Sequence, residues 1–96
     1  MKMKMKNIDI KHIKTRVKSI EQSKFIAKAG QETIIVLVIT EDGTFTNFLN
    51  VWEKQNIDLN MLEEGDLIDI TYTTFFNVEK NREYKNFIAI KIGGIS

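Results

Sequence analysis

Apolar and polar side chains alternate along most of the 96-residue chain, a pattern typical of half-buried β-strands. In residues 12–20, Ile13, Thr15 and Val17 share one face of a predicted strand and basic side chains occupy the other. Residues 33–40 (TIIVLVIT) are apolar throughout, which predicts a central strand covered on both sides. Two later segments, residues 67–78 and 84–94, alternate again, with these residues facing inward: Ile68, Ile70 and Tyr72 in the first, and Ile88, Ile90 and Ile92 in the second.

The segment TFTNFLNVWEKQ, residues 44–55, fits either a helix or a strand. In a helix, all three of its aromatic residues would lie on one side and form core. In a strand, Phe48 and Trp52 share one face and Phe45 takes the other. The preceding Asp42-Gly43 pair is typical of a tight hairpin, and the Thr and Asn residues are poor helix formers. We therefore predict a strand.

The segments between the strands complete the predicted order. Residues 23–31 read as a loop and residues 79–83 as a polar turn. Asn56–Asp66 is predicted to form a short helix, capped by Asp58 or Asn60 and ended at Gly65.

Three strands, one helix and two strands predict an all-β fold, a five-stranded Greek-key OB-fold barrel with a short helix between strands 3 and 4. An SH3-type barrel is the alternative, but it has no helix at that point. We expect a basic N-terminal arm over residues 1–10 and a single domain over residues 11–96.

Charge is distributed unevenly along the chain, although the net charge is only +1. Residues 1–28 hold nine Lys or Arg and two acidic residues, whereas residues 29–96 hold five basic and eleven acidic residues. This asymmetry indicates either a basic segment that contacts phosphate or a solubilising tail. The small total charge argues against tight duplex binding, which needs many phosphate contacts.

Few residues could support catalysis or bind a metal. The chain has one histidine, His12, and no cysteine. Glu63, Glu64 and Asp66 are explained by a helix end and a turn, and no glycine-rich phosphate loop is present. We expect a protein that is not an enzyme and uses no cofactor or metal. Absent cysteine and the lack of a long apolar segment or secretion signal favour a cytoplasmic location.

The sequence supports ligand binding better than it supports catalysis. If Leu49 and Val51 point into the barrel, the opposite face of the strand presents alternating aromatic and small polar groups: Thr46, Phe48, Asn50 and Trp52. Exposed aromatic rings can stack on nucleic-acid bases. The opposite facing would bury Phe48 and Trp52, and it would also bury Asn50, whereas the first facing buries Asn47 nearer the strand start. We favour the first.

The two long loops predict a second binding surface, because OB-folds commonly bind ligands there. The loop between strands 4 and 5 and its flanks carry these residues: Phe75, Lys80, Arg82, Tyr84, Lys85 and Phe87. The loop between strands 1 and 2 carries Lys24, Phe25 and Lys28. The first strand adds Lys14, Arg16 and Lys18 as candidate phosphate contacts. We expect Phe76 to be core, and Phe87 to contact either a ligand or another subunit.

Between Thr46 and Gly94 the chain resembles the OB-fold domain of bacterial and phage single-stranded DNA-binding proteins. NFLNVWEK is similar to that family's third strand, LEEGDLIDI to its helix end and fourth strand, and NFIAIKIGG to its closing strand. The resemblance implies that Phe48 and Trp52 stack on bases and that the protein forms a homo-oligomer, a dimer or a tetramer. The chain ends at Ser96 without the acidic tail of cellular members, which favours a phage or mobile-element protein.

The expected function is therefore sequence-non-specific binding and protection of single-stranded DNA in replication or recombination. Two alternatives remain open from the sequence. The same fold can bind RNA, and the aromatic face can instead be a protein-interaction surface of an adaptor.

Overall fold

The computed structural model describes residues 9–58 and 61–93, in which the alternating segments form five strands and one short helix. The elements are β1 (Ile10–Ile26), β2 (Glu32–Thr40), β3 (Gly43–Phe48), α1 (Leu49–Glu53), β4 (Leu67–Asn77) and β5 (Arg82–Ile92). The strands close into a barrel in the order β1-β2-β3-β5-β4, and β4 returns to β1. The predicted all-β barrel of five strands is confirmed at this level, and a short helix lies between β3 and β4, although outside the segment predicted to form it.

Strand β1 closes the barrel because it pairs with two neighbours. Its first part, Ile10–Arg16, runs antiparallel to β4, and its second part, from Val17 to Ile26, runs antiparallel to β2. The register shifts by one residue at Lys18, which is the position of a β-bulge. Bulges bend a strand and increase its twist, so this one lets a single strand serve both sides of the ring.

The interior is filled by one face of each strand. Predicted inward residues Thr15, Val17, Ile68 and Ile70 are buried, as expected. The other buried apolar side chains are Val36, Val38, Phe45, Trp52, Leu62, Phe87 and Ile90. Phe45 and Tyr72 meet edge to face with ring centroids 4.9 Å apart, a favourable arrangement for aromatic rings in a core.

The predicted hairpin at Asp42-Gly43 is present, with Glu41 and Asp42 in the turn. Gly43 has a φ of +122°, a conformation that side-chain-bearing residues rarely adopt. The hydroxyl of Thr40 donates to the Gly43 carbonyl at 2.8 Å and accepts from the Asp42 amide at 3.1 Å. The turn directs β3 back along β2, which fixes the facing of β3.

The predicted inward face of the last strand is wrong in part. Tyr72 pairs with Phe87 and Thr71 with Ala89, so Ile88 is an extra, bulged residue in β5. Before the bulge the odd-numbered residues of β5 face the core, and after it the even-numbered residues do. Phe87 and Ile90 are buried, whereas Ile88 and Ile92 are exposed. Phe87 is therefore a core residue and not the predicted ligand or subunit contact.

The predicted strand over residues 44–55 is correct only as far as Phe48. Asn47 accepts the Phe48 amide with its own side chain at 2.8 Å, and residues 49–53 then turn into α1. In a helix, residues three apart lie on the same side. Leu49 and Trp52 therefore both pack against the core, and Trp52 is only 2% exposed.

The segment predicted as a helix, Asn56–Asp66, contains only turns and a single 3₁₀ residue at Met61 in its described part. Asn56 has a φ of +59°, and Gly65 one of +94°. The Asp66 carboxylate accepts the Glu63 amide at 2.9 Å, which closes the acidic turn. The predicted cap Asn60 lies outside the described residues.

The β1–β2 hairpin is longer than the sequence pattern indicated, whereas the β4–β5 turn lies close to its predicted position. Strand β1 continues to Ile26, so the predicted loop over residues 23–31 is half strand. We call residues 23–34 the β1–β2 arm and residues 74–85 the β4–β5 arm. Phe76, predicted to be core, lies on the β4–β5 arm beyond the filled interior and is 52% exposed. Across residues 9–58 and 61–93, no helix is long and apolar enough to cross a membrane.

Substituting Trp52→Ala should lower the free energy of unfolding by about 3–5 kcal/mol, because a large buried ring is removed from the core. Substituting Phe48→Ala, four residues earlier, should lower it by no more than about 1 kcal/mol, because that ring is half exposed. Urea unfolding followed by circular dichroism measures both values. Equal losses would contradict the burial of Trp52 and the exposure of Phe48.

Candidate functional site

The two arms and the outer face of β2 and β3 enclose an open cleft of about 380 Å³. Its walls come from the arms, and its floor comes from alternate residues of β2, β3 and β5. The residues that line it are Ser23, Phe25, Ile35, Leu37, Thr46, Phe75, Lys80, Tyr84 and Asn86. We refer to this set as the cleft.

Aromatic side chains stand on both walls of the cleft. Phe25 belongs to the β1–β2 arm and is 50% exposed, while Phe75 belongs to the β4–β5 arm and is 57% exposed. Tyr84 is paired directly with Phe75 across the β4–β5 ladder, so both rings point to the same side of that arm. The cleft therefore offers flat apolar surfaces to a ligand from two directions.

The floor of the cleft follows from the alternation of β2 and β3. Val36 and Val38 point into the barrel, so Ile35 and Leu37 point out. Leu37 is paired with Thr46, and Ile35 is paired with Phe48. Thr46 and Phe48 thus face outward, as the sequence predicted for this part of β3.

The asparagine that this facing turns inward, Asn47, forms two hydrogen bonds. The Asn47 amide nitrogen donates to the Phe87 carbonyl at 2.7 Å, and its oxygen accepts the Phe48 amide. An inward polar group would otherwise cost free energy, because it leaves water without a replacement partner. These two bonds remove that cost and fix the outward direction of Phe48.

Cations are concentrated at the β4–β5 end. Lys80 lines the cleft, and Arg82, Lys85 and Glu83 line an adjoining depression that shares Leu37, Thr46 and Tyr84 with it. The Lys85 ammonium donates to the Asp42 carbonyl at 3.2 Å and lies 5.3 Å from the centre of the Phe45 ring. Lys85 therefore holds the β2–β3 turn, whereas Lys80 and Arg82 extend into solvent.

Phe48 and Asn50 lie at the other end, in a third depression of about 540 Å³. The charged residues that line it are Glu32 and Glu53. Phe48 is 49% exposed and adjoins the cleft through Ile35. The outer face of the barrel therefore changes from basic near Arg82 to acidic near Phe48.

Trp52 does not belong to this surface. The sequence placed it beside Phe48 as a stacking ring, but α1 turns it into the core, where its ring meets Phe87 edge to face at 6.0 Å. The Gln55 side chain then links the end of this segment to β5. Its amide nitrogen donates to the Ile88 carbonyl, and its amide oxygen accepts the backbone N–H of Ile90. The predicted Phe48–Trp52 platform is wrong, and Phe48 is its exposed member.

The basic residues of β1 lie apart from the cleft. Arg16, near the middle of β1, donates to the Gly65 carbonyl at 2.9 Å. Arg16 and Phe25 are nine positions apart, up to about 30 Å of extended strand. Lys14 and Lys18 lie within two positions of Arg16 and outside the cleft lining. Their predicted phosphate contacts stay a prediction.

The two lysines near the tip of the β1–β2 arm also lie outside the cleft lining. Lys24 precedes Phe25 in the strand and therefore points to the other side of the arm. It forms an exposed ion pair with Glu32 at 3.9 Å. Such a pair contributes little to stability, so Lys24 is not strongly held. Lys28 is exposed in the turn that joins β1 to β2.

Several lining residues were missed by sequence reasoning: Ser23, Ile35, Leu37 and Asn86. Ile35 and Leu37 lie in an apolar run that indicated burial on both faces, yet one face is only partly covered. Asn86 carried a weak signal, since a lone asparagine inside an apolar strand often marks a bond to a neighbouring element. Phe25 was noted but was placed on a loop.

Within the described part of the chain, no three His, Cys, Asp or Glu residues are grouped so that they could hold a metal ion. Comparison with known proteins gives no matching family model, no similar curated protein and no similar solved structure. The chemistry of the cleft must therefore be argued from its own residues.

Proposed function

We propose that the barrel is an OB-fold and that the protein binds single-stranded DNA in its cleft with little sequence preference, without acting as an enzyme. The observation that supports this proposal is that aromatic rings from two arms, Phe25 from one and Phe75 with Tyr84 from the other, line one cleft on the outer side of β2 and β3. OB-folds bind oligonucleotides on that face and with those two loops. The strand order and the helix between β3 and β4 support the fold assignment.

The aromatic residues are assigned to base stacking. Each base stacked on an aromatic ring contributes roughly 1–3 kcal/mol, and any base can stack because every base has a π-face. Phe25, Phe75 and Tyr84 would stack bases within the cleft, and Phe48 would stack a further base beyond Ile35. Stacking of this kind needs unpaired bases, which favours a single strand over a duplex.

Phosphate groups are assigned to the β4–β5 end. Lys80 and Arg82 extend from the arm beside Tyr84, whereas Glu32 and Glu53 flank Phe48. Phosphates are attracted to the first pair and repelled by Glu53, while Lys24 offsets part of the charge of Glu32. The strand would therefore run with its backbone along the β4–β5 arm and with its bases turned towards β2 and β3.

The expected biological role follows from this chemistry. A protein that covers single-stranded DNA without regard to sequence protects it during replication or recombination, as members of the single-stranded DNA-binding family do. Assembly into a homo-oligomer is part of the proposal. The apolar side chain of Ile26, on the far side of the β1–β2 arm, supports it because it is 65% exposed.

Substituting Phe75→Ala should weaken binding of oligo-dT by roughly 5- to 150-fold, the loss expected for one stacked base. Fluorescence anisotropy of a labelled oligo-dT, longer than the about 4–16 nucleotides that one OB-fold covers, measures the affinity. Trp52 emission is a poor reporter, because that ring is buried.

Phe76→Ala is the matched control for Phe75→Ala. The two rings are adjacent on one arm and similarly exposed, but only Phe75 lines the cleft. The Phe76 variant should bind within about twofold of the unsubstituted chain, since it loses no stacking contact. Equal losses in the two variants would place binding outside the cleft, and absence of binding by the unsubstituted chain at low salt would refute the proposed function.

Salt dependence tests the phosphate assignment. Each phosphate contact on a single strand contributes about 0.7 to the slope of log affinity against log salt concentration. The double substitution of Lys80→Gln and Arg82→Gln should therefore reduce the slope by about 1.4. The measurement is an anisotropy titration of a short oligo-dT at several sodium chloride concentrations.

The double substitution of Lys14→Gln and Lys18→Gln is the control for this experiment. A strand of about six nucleotides, near the lower limit for one OB-fold, would occupy the cleft and leave this part of β1 free. The Lys14→Gln, Lys18→Gln variant should therefore keep the same slope of log affinity against log salt concentration as the unsubstituted chain. A reduced slope with the short strand would contradict the location in the cleft, while a reduced slope with only a longer strand would support the predicted phosphate contacts of β1.

A further inference from the structure

Asn86 is the β5 residue of the cleft floor. It lies on β5 between two neighbours, paired with Thr73 of β4 on one side and with Thr46 of β3 on the other. Leu37 of β2 follows Thr46 in the same row. Asn86 is therefore the amide side chain that a ligand meets between the aromatic walls.

The Asn86 side chain is held by the backbone of the next strand. Its amide nitrogen donates to the Thr46 carbonyl at 3.2 Å. An amide has two N–H donors and one oxygen acceptor, so this bond leaves one donor and the acceptor available to a ligand. The bond also restricts rotation of the amide, so less entropy is lost when a ligand binds.

The surroundings favour a base over a phosphate as the partner of this amide. Lys80, on the β4–β5 arm, is the single charged residue among those that line the cleft. The nearest acidic residue in the same row is Glu21, which is paired with Leu37 but does not line the cleft. A neutral amide in a lining that also contains Leu37 and Ile35 suits a flat heterocycle that presents its own donors and acceptors.

The spacing between Asn86 and the aromatic pair matches the size of a base. Tyr84 and Asn86 are two residues apart on β5, which places their side chains on the same face about 7 Å apart. A base stacked on Tyr84 or Phe75 would extend sideways over the floor. Its hydrogen-bonding edge would then reach the amide of Asn86.

We propose that Asn86 is a specificity-determining residue that forms hydrogen bonds with the Watson–Crick edge of a base stacked on Phe75 or Tyr84. This assignment rests on the proposed function and adds to it a side chain that forms hydrogen bonds with one base. The free oxygen of Asn86 accepts an N–H group of the base, and its free N–H donates to an adjacent base oxygen or nitrogen. The contact would give one nucleotide position a preference within otherwise non-specific binding.

The test compares two ligands on two proteins. One ligand is oligo-dT, and the other is the same oligonucleotide built from N3-methylthymidine, which can still stack but has lost the N3–H donor. The proteins are the unsubstituted chain and Asn86→Thr, which removes the amide and keeps a residue suited to strands. Anisotropy titrations give four affinities, and thermal unfolding confirms that each protein is folded under the assay conditions.

The unsubstituted chain should bind oligo-dT at least about fivefold more tightly than the methylated strand, the lower range for a good base contact. Asn86→Thr should bind the two strands with affinities within about twofold. A merely structural loss would weaken both strands equally and leave their ratio unchanged. If the threonine variant unfolds, Asn86→Ser, with a smaller polar side chain, replaces it.

An unchanged ratio in a folded Asn86 variant would overturn the assignment and leave the proposed function intact. Equal binding of the two strands by the unsubstituted chain would overturn it as well. Absence of binding to either strand would overturn the proposed function, and the assignment with it.

Discussion

The barrel depends on the contact between β3 and β5, its one parallel pair of strands. These strands run parallel, and only Thr46 and Asn86 are paired in register. Two asparagine side chains reinforce this contact from opposite strands. Asn47 of β3 donates to the Phe87 carbonyl, and Asn86 of β5 donates to the Thr46 carbonyl. Hydrogen bonds from side chains thus replace much of the ladder that a longer parallel pair would supply.

The facing of the candidate residues of β3 follows from this contact. With Asn47 turned inward, Thr46 and Phe48 must face outward. The chain then leaves β3, and α1 brings Trp52 against Phe87 in the core. The inward side chain of Asn47 therefore accounts for the exposure of Phe48, whereas Trp52, four residues later, is buried. The bulge at Ile88 completes the arrangement, because it lets Phe87 face the core while Asn86 borders the cleft.

Alternation and turn chemistry predicted much of the fold. The hairpin at Asp42-Gly43, the inward faces of β1 and β4 and the outward direction of Thr46 and Phe48 all depend on local pattern, and all are present. The errors have physical causes that a local pattern does not contain. Trp52 was placed on a strand because β3 ends at Phe48, where the Asn47 oxygen accepts the Phe48 amide while the Asn47 amide nitrogen donates to the Phe87 carbonyl, forty residues away.

The cleft itself was only partly predictable for a related reason. Thr46, Phe75, Lys80 and Tyr84 were expected to bind a ligand, and the structure brings them to one surface. Asn86 and Leu37 join them through pairing between strands distant in sequence. Lys14 and Arg16 share a charge pattern with the arm residues, but the length of β1 separates them from the cleft. Charge along a sequence does not reveal which residues a fold places side by side.

The two arms also have a consequence for how such a protein can change during evolution. Residues 23–34 and 74–85 extend beyond the part of the ring that encloses the buried side chains, and they carry no member of the main core. Hairpins of this kind can gain or lose pairs of residues without disturbing the interior, because each added pair keeps the alternation of faces. The reach of the protein along a ligand and its preference at individual positions can therefore diverge between lineages while the barrel stays constant.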